Sequence, residues 1–302
     1  MFLPSTPGRL HHALSISPKK LEIYRNDFYY EWSFAQARYI LQDRFLFSMR
    51  NTALLLIKPD AEMMNRIPLI IHLLDSNGYE LLYGSRLRVT HTQTTELWKY
   101  QWSAATIDRI IVNEKLMGLG PSLLLLLKNR QHAVSSSLPL SAYLTEQKGA
   151  ANEKLRTAEH FRTVLKPLNI ILNYIHTADE PADVIREIGL LVGIADLAAV
   201  YTRILSESTI SFDSLHYKKY DADTPVYYPR ELLLLLWQNA RAQISKPSQD
   251  ILDQHFHDVC QNKCYLDLNL LLANNVIKQW TWEWVVAVSH FIQYNTDNPV
   301  II

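Results

Sequence analysis

From Asn51 onward the chain alternates unbroken apolar runs with stretches whose apolar residues recur at helical spacing. TALLLIKPD is an apolar run closed by Pro59, the pattern of a buried strand. Ala61 to Leu74 places Met64, Ile67, Ile70, Ile71 and Leu74 on one side of a helix. SNGYE reads as a turn, LLYGSRLRV as a second strand, and TQTTELWKYQW as the start of a helix capped by Thr92 or Thr94. GPSLLLLLKN is a turn with a buried strand, LSAYLTEQKG and AEHFRTVL are helical, and LNIILNYIH is an apolar strand followed by a further helix. The order is roughly βαβαβα…βα, which implies a sheet covered by helices on at least one face.

The flanks differ in character. Residues 1–20 carry three Pro and a Gly and read as a loose lead-in. Residues 21–50 are aromatic-rich, with a strand and then a helix expected, and their aromatics suggest packing on another surface such as a second subunit. After about Ala195 comes the polar, Tyr-rich segment SFDSLHYKKYDADTPVYYPR, then three helical patterns: RELLLLLWQNARAQIS, ILDQHFHDVCQNKCYLDLNLLLANNVI and WTWEWVVAVSHFIQY. The expected organisation is therefore residues 1–50 as an N-terminal extension, 51–195 as the core and 196–302 as a mainly helical C-terminal region.

Composition narrows the function classes. Lys+Arg and Asp+Glu balance at 30 each, so no global field draws in nucleic acid or an acidic membrane. Only 8 Gly leave little material for a Gly-rich phosphate loop, and 2 Cys argue against a disulfide framework. No apolar run approaches the ~18 residues of a membrane span, and the N-terminal MFLPSTPGRLHH lacks the pattern of a secretory signal, so a cytoplasmic protein is expected.

Chemistry concentrates in NYIHTADEPADVIREIGL. His176 ends an apolar run, where ligands gather in open α/β layouts. Asp179 is the expected N-cap of the next helix, with Pro181 in its first turn. Glu187, eleven residues past His176, is placed to accept a proton from one ring nitrogen and leave the other as a nucleophile. Asn173 precedes His176 by three residues, where it can meet a ligand hydroxyl. Taken alone, the segment reads first as an ordinary buried or surface histidine beside a well-capped helix, because most histidines are not catalytic.

The ordered set TALLLIKPD, GPSLLLLL, KGAAN, FRTVL and NYIHTADEPADVIREIGLL resembles the nucleoside diphosphate kinase family over about residues 51–195. The spacings Ala151 to Arg162 and His176 to Glu187 match that family, while Arg162 to His176 is longer by one. The resemblance implies an α+β fold, a ferredoxin-like antiparallel sheet flanked by helices, with the N-terminal extension and helical C-terminal region added to it. It implies that His176 accepts a phosphoryl group, Glu187 orients it, Lys58 reaches ribose hydroxyls and the transferred phosphate, Tyr100 lies beside that phosphate, Arg162 clamps nucleotide phosphates and Asn173 binds the sugar hydroxyl. It also implies Mg²⁺ as cofactor, nucleoside tri- and diphosphates as ligands, and a homo-oligomer, for which a dimer is expected because the added segments cover the usual contacts. Departures stand at Thr177-Ala178 in place of Gly-Ser, Ala151 in place of Thr, and Thr145 in place of a second phosphate-binding Arg, with Lys148 or Arg156 available as the missing cation. Two functions stay open: a phosphotransferase working through phosphohistidine, and a nucleotide-binding regulatory protein with weak or no catalysis.

Other clusters read more plainly. His255, His257, Cys260 and Cys264 lack the paired C-x₂-C spacing of a zinc site and fit an amphipathic helix; no metal site is expected. Trp280, Trp282 and Trp284 share one face if extended and spread if helical, and they read as core or subunit contact, as do Tyr217, Tyr220, Tyr227 and Tyr228. His11 and His12 read as a solvated pair.

Overall fold

A computed structural model describes residues 13–132, 137–217 and 225–301; His11, His12 and Tyr220 lie outside the described residues. Helices α1 (Pro18–Tyr24), α2 (Phe28–Leu41) and α3 (Phe45–Arg50) lead into strand β1 (Ala53–Ile57). Then follow α4 (Pro59–Met63), α5 (Ile67–Ser76), β2 (Tyr79–Leu87), α6 (His91–Leu97), α7 (Ile107–Leu119), β3 (Ser122–Asn129), α8 (Leu140–Lys148), α9 (Phe161–Leu165), β4 (Ile175–Thr177) and α10 (Pro181–Leu191). The C-terminal region adds α11 (Leu197–Ser206), α12 (Pro229–Arg241), α13 (Lys246–Cys260), α14 (Leu268–Ala273) and α15 (Trp282–Phe291).

The strands form one sheet in the order β2-β3-β1-β4, with every neighbouring pair antiparallel. This is the ferredoxin-like order, as the resemblance implied. Apolar runs without alternation require a sheet buried on both faces. The register shows it: Ala53, Leu55, Ile57, Leu123, Leu125 and Leu127 enter one core, while Leu54, Leu56, Leu124 and Leu126 enter the other. The first core continues into Leu233, Trp237, Phe256 and Val285 of the C-terminal helices; the second takes in Tyr30 and Phe45 from the N-terminal helices and Ile185 of α10. Both flanking regions thus share apolar cores with the sheet.

Several local expectations are corrected. Residues 21–50 form helices, with no strand, because Asp27 caps α2 through the Tyr30 amide and commits the aromatic run to helical spacing. The 61–74 helix is two helices, broken around Asn65, which has φ +52°. Thr90, not Thr92 or Thr94, caps α6, forming a reciprocal box with Gln93. Glu180, not Asp179, caps α10, in a box with Asp183. The apolar LNIILNY is no strand: the Asn169 side chain accepts from the Ile171 and Leu172 amides, Tyr174 adopts φ +70°, and β4 is three residues long. Trp282 and Trp284 lie on helix α15, and Cys264 falls past the end of α13, where Cys260 is buried.

The N-terminal helices are locked to α10 by buried charge. Arg186, 1% exposed, donates through Nε to Asp27 at 2.8 Å, and Asp27 also receives the Tyr100 hydroxyl at 2.8 Å and pairs with Lys99 at 3.0 Å. Burial pushes the Asp27 carboxyl upward, but the Arg186 guanidinium outweighs it and holds Asp27 below its ordinary value. Gly189 lets the two helices meet: a Cβ there would stand 2.3 Å from the Tyr29 carbonyl. Replacing Asp27 by Ala strands a buried guanidinium and is expected to lower unfolding free energy by about 3–5 kcal/mol. Chemical denaturation measures this, and a loss below about 1 kcal/mol would contradict it.

Candidate active site

Strand β1 ends in Lys58-Pro59-Asp60, and Pro59 at the first turn of α4 stops the strand. Asp60 is fully buried and accepts the Tyr174 amide at 2.9 Å, while the Lys58 amide donates to the Tyr174 carbonyl at 2.8 Å. This pins the 169–174 loop against the strand end. The Lys58 ammonium, 4% exposed, donates to the Ile171 carbonyl at 2.6 Å and stands 3.7 Å from Asp60. Asn173 folds its amide onto the Ile170 carbonyl at 2.8 Å.

His176 lies in β4 opposite Leu56. Its Nε2 is 2.9 Å from Glu187 Oε2 and 3.0 Å from Oε1. A carboxylate only accepts, so the proton sits on Nε2 and Nδ1 carries the lone pair. The indole N–H of Trp98 points at that Nδ1 from 3.4 Å, with the two rings edge to face at 85°. The pair therefore has one tautomer consistent with both neighbours.

A cavity of about 240 Å³ opens beside this pair, lined by Lys58, Arg109, Lys148, Arg162, Asn173 and His176 together with Trp98, Trp102 and Asp179. Burial pushes the Lys58 ammonium down to about 8, against the pull of Asp60 and with the push of Arg162. Burial likewise lowers Lys148 to about 8; Asp179 opposes the shift and Arg162 adds to it. Arg162 is lowered to about 10 by burial and by Arg156. These cations are crowded and short of counter-charge, the condition that an anion relieves.

The sequence-selected residues Lys58, Arg162, Asn173, His176 and Glu187 converge here: all but Glu187 line the cavity, and Glu187 holds His176 from behind. Arg162 is committed to the backbone. Its Nη1 donates to the Gly149 carbonyl at 3.0 Å and its Nη2 to the Ile175 carbonyl at 2.9 Å, while Nε has no partner among the described residues. Gly149, at φ +80°, turns its carbonyl toward Arg162 as α8 ends. Tyr100 does not line this cavity; its hydroxyl is spent on Asp27, and the aromatic against His176 is Trp98. Lys148 meets the Thr177 hydroxyl at 2.6 Å, and Thr145 meets the same hydroxyl at 2.7 Å, so Thr177 faces Lys148 and Thr145. Arg156 is turned onto the carbonyls of Ala150 and Ala151.

Similar solved structures are nucleoside diphosphate kinases. The one from Aquifex aeolicus is 18% identical, with 46% of this chain and 93% of that chain covered at TM-score 0.39. The halophilic one from Halobacterium salinarum, solved with CDP, is 15% identical over 42% of this chain and 76% of that one, at TM-score 0.34. That from Encephalitozoon cuniculi is 17% identical over 47% and 89%, at TM-score 0.39. No protein-family model matches the sequence, and no curated protein does. Among the described residues no helix is long and apolar enough to cross a membrane, and no group of three or more His, Cys, Asp or Glu could hold a metal ion.

Sequence reasoning missed Trp98, Arg109 and the cavity position of Asp179. Trp98 turns inward because α6 ends at Leu97, and Arg109 sits in the first turn of a helix capped by Thr106; neither is signalled by spacing. The cavity makes a pH prediction. In the empty site both lysines are charged below about 8, and a bound anion raises their pKa, so binding above that pH takes up protons. Affinity for inorganic pyrophosphate, followed by calorimetry, is expected to fall as pH rises from about 7 to about 9.5, by up to about tenfold per pH unit for each linked lysine. A flat profile would contradict the assignment.

Proposed function

We propose that this protein moves the terminal phosphoryl group of a nucleoside triphosphate through His176 to a nucleoside diphosphate or a related phosphorylated small molecule. The observation that carries this reading is the His176–Glu187 pair on the wall of a cavity lined by Lys58, Arg109, Lys148 and Arg162. Nδ1 donates its lone pair to the terminal phosphorus; the bond from that phosphorus to its bridging oxygen breaks, and the diphosphate leaves with the bonding electrons. The ring becomes cationic and is stabilised by Glu187 through Nε2–H. A second diphosphate oxygen then attacks the phosphorus, and the imidazole recovers its lone pair.

Lys58 and Lys148 supply charge to the phosphates, and Asn173 meets the sugar hydroxyl. Arg162 supplies charge from the cavity wall and clamps through the N–H groups of its fork that the Gly149 and Ile175 carbonyls do not take. Tyr100 acts indirectly, holding Asp27 against Arg186 beside Glu187. Mg²⁺ fits this donor set only as an ion carried by ligand phosphates: Asp179 is the carboxylate on the cavity wall, half-exposed and 3.8 Å from Lys148, and one carboxylate suffices for such an ion. When bound it neutralises phosphate charge. Self-association as a dimer belongs to the same reading, with the exposed Phe28, Trp32 and Tyr39 of α2 as its support.

A second reading, a nucleotide-binding regulator, is favoured by the backbone commitments of Arg162 and by the Trp98 N–H directed at Nδ1. Incubation with γ-labelled ATP and Mg²⁺ separates the two. The expected result is an acid-labile, alkali-stable label that is absent in His176→Ala and chased by nucleoside diphosphates. An unlabelled protein that still binds ATP would overturn the transferase reading in favour of the regulator. Glu187→Gln keeps a hydrogen-bond acceptor but removes the charge. It is expected to slow labelling about ten- to a hundredfold with ATP affinity unchanged; rapid-quench labelling at saturating ATP measures it, and an unaltered rate would contradict the orienting role.

A further inference from the structure

The C-terminal region meets the cavity on two sides. After α15 the chain runs antiparallel along the segment from Tyr100 to Thr106, pairing Ala105 with Asn295. The Thr106 amide donates to the Tyr294 carbonyl at 3.1 Å, the Thr296 amide to Ala104 at 3.0 Å, and the Ile301 amide to Tyr100 at 3.1 Å. Ser103 returns a hydroxyl bond to the Pro299 carbonyl at 2.8 Å. This segment carries the cavity residues Gln101 and Trp102 and leads into Arg109, whose Nη1 donates to Asn295 Oδ1 at 2.5 Å. On the opposite side, Ser289 of α15, fully buried, accepts from the Asn169 amide at 2.9 Å. Asn169 is the residue whose side-chain Oδ1 accepts the Ile171 and Leu172 amides and folds the loop that presents Ile171 to Lys58 and Asn173 to the cavity.

We propose that the C-terminal layer is a positioning element for the pocket: Asn295 and Ser289 hold the two walls between which the phosphate-bearing ligand sits, and so set its affinity. The proposal rests on the phosphate-ligand reading above. Its physical basis is loop ordering. A wall fixed before the ligand arrives pays no ordering entropy on binding, whereas a freed wall does. Neither Asn295 nor Ser289 contacts His176, so the strap acts on binding and leaves the reacting pair in place.

The test uses the full chain with Asn295→Ala, Ser289→Ala and the conservative Asn295→Gln. Amide exchange of the 100–106 segment and of residues 169–173 reads the strap itself, and ADP affinity by calorimetry reads its effect. Asn295→Ala is expected to speed exchange at the Thr106 amide and Ser289→Ala at the Ile171 and Leu172 amides, each weakening ADP about threefold to tenfold. Asn295→Gln is expected to recover most of the affinity. The labelling rate at saturating ATP stays at the wild-type value. Unchanged exchange in both Ala variants overturns the strap, and faster exchange with unchanged ADP affinity overturns its role in binding. A wild-type protein that binds no ADP sinks the nucleotide reading, and the affinity half of the proposal with it, while exchange still judges the strap.

Discussion

The fully buried Asp60 carboxylate, accepting the Tyr174 amide, is the contact from which the site is built. Burial raises its pKa, and the nearby Lys58 and the amide it receives pull the other way. Because the carboxylate sits where β1 ends, it fixes the loop that brings Ile171 to the Lys58 ammonium and lets β4 start at Ile175. The cavity residues Ile171 and Asn173 lie on the loop anchored there, and His176 and Thr177 follow in β4, paired with β1.

Around this anchor the chain buries the sheet twice. Leucine runs in β1 and β3 feed both faces, so neither face is left for ligand binding, and the chemistry is displaced to the strand ends and the short edge strand β4. The added segments then take separate tasks. The N-terminal helices brace α10, and with it Glu187, through Asp27 and Arg186. The C-terminal layer completes one apolar core and reaches both cavity walls. A cavity with buried lysines and an arginine short of counter-charge is costly to maintain, and the Ile171, Gly149 and Ile175 carbonyls with the Thr177 hydroxyl are what receive those cations.

How much of this was legible in the sequence depended on range. The Lys58-Pro59-Asp60 stop and the eleven-residue interval from His176 to Glu187 are local, and strand and helix geometry convert such spacings directly into positions. The strand order followed from the resemblance. The 168–174 segment was misread because its apolar pattern suits a strand, whereas Asn169 and Asn173 satisfy backbone groups in turns that hydropathy does not register. Trp98, Arg109 and the backbone commitments of Arg162 depend on contacts between distant parts of the chain, and single-sequence periodicity carries no information about them. The paired tyrosine and tryptophan in LWKYQW show the difficulty: both suit a site wall, and only the end of α6 at Leu97 decides which one turns toward His176.

Under the proposed reading, Nδ1 of His176, left without a proton by the bond from Nε2 to Glu187, is the atom that accepts phosphorus. Phosphorus–nitrogen NMR on the phosphorylated, ring-¹⁵N-labelled protein identifies the bonded nitrogen directly. The account predicts a single phosphoryl group on Nδ1 of His176. A phosphoryl group on Nε2, or on any other residue, would contradict it.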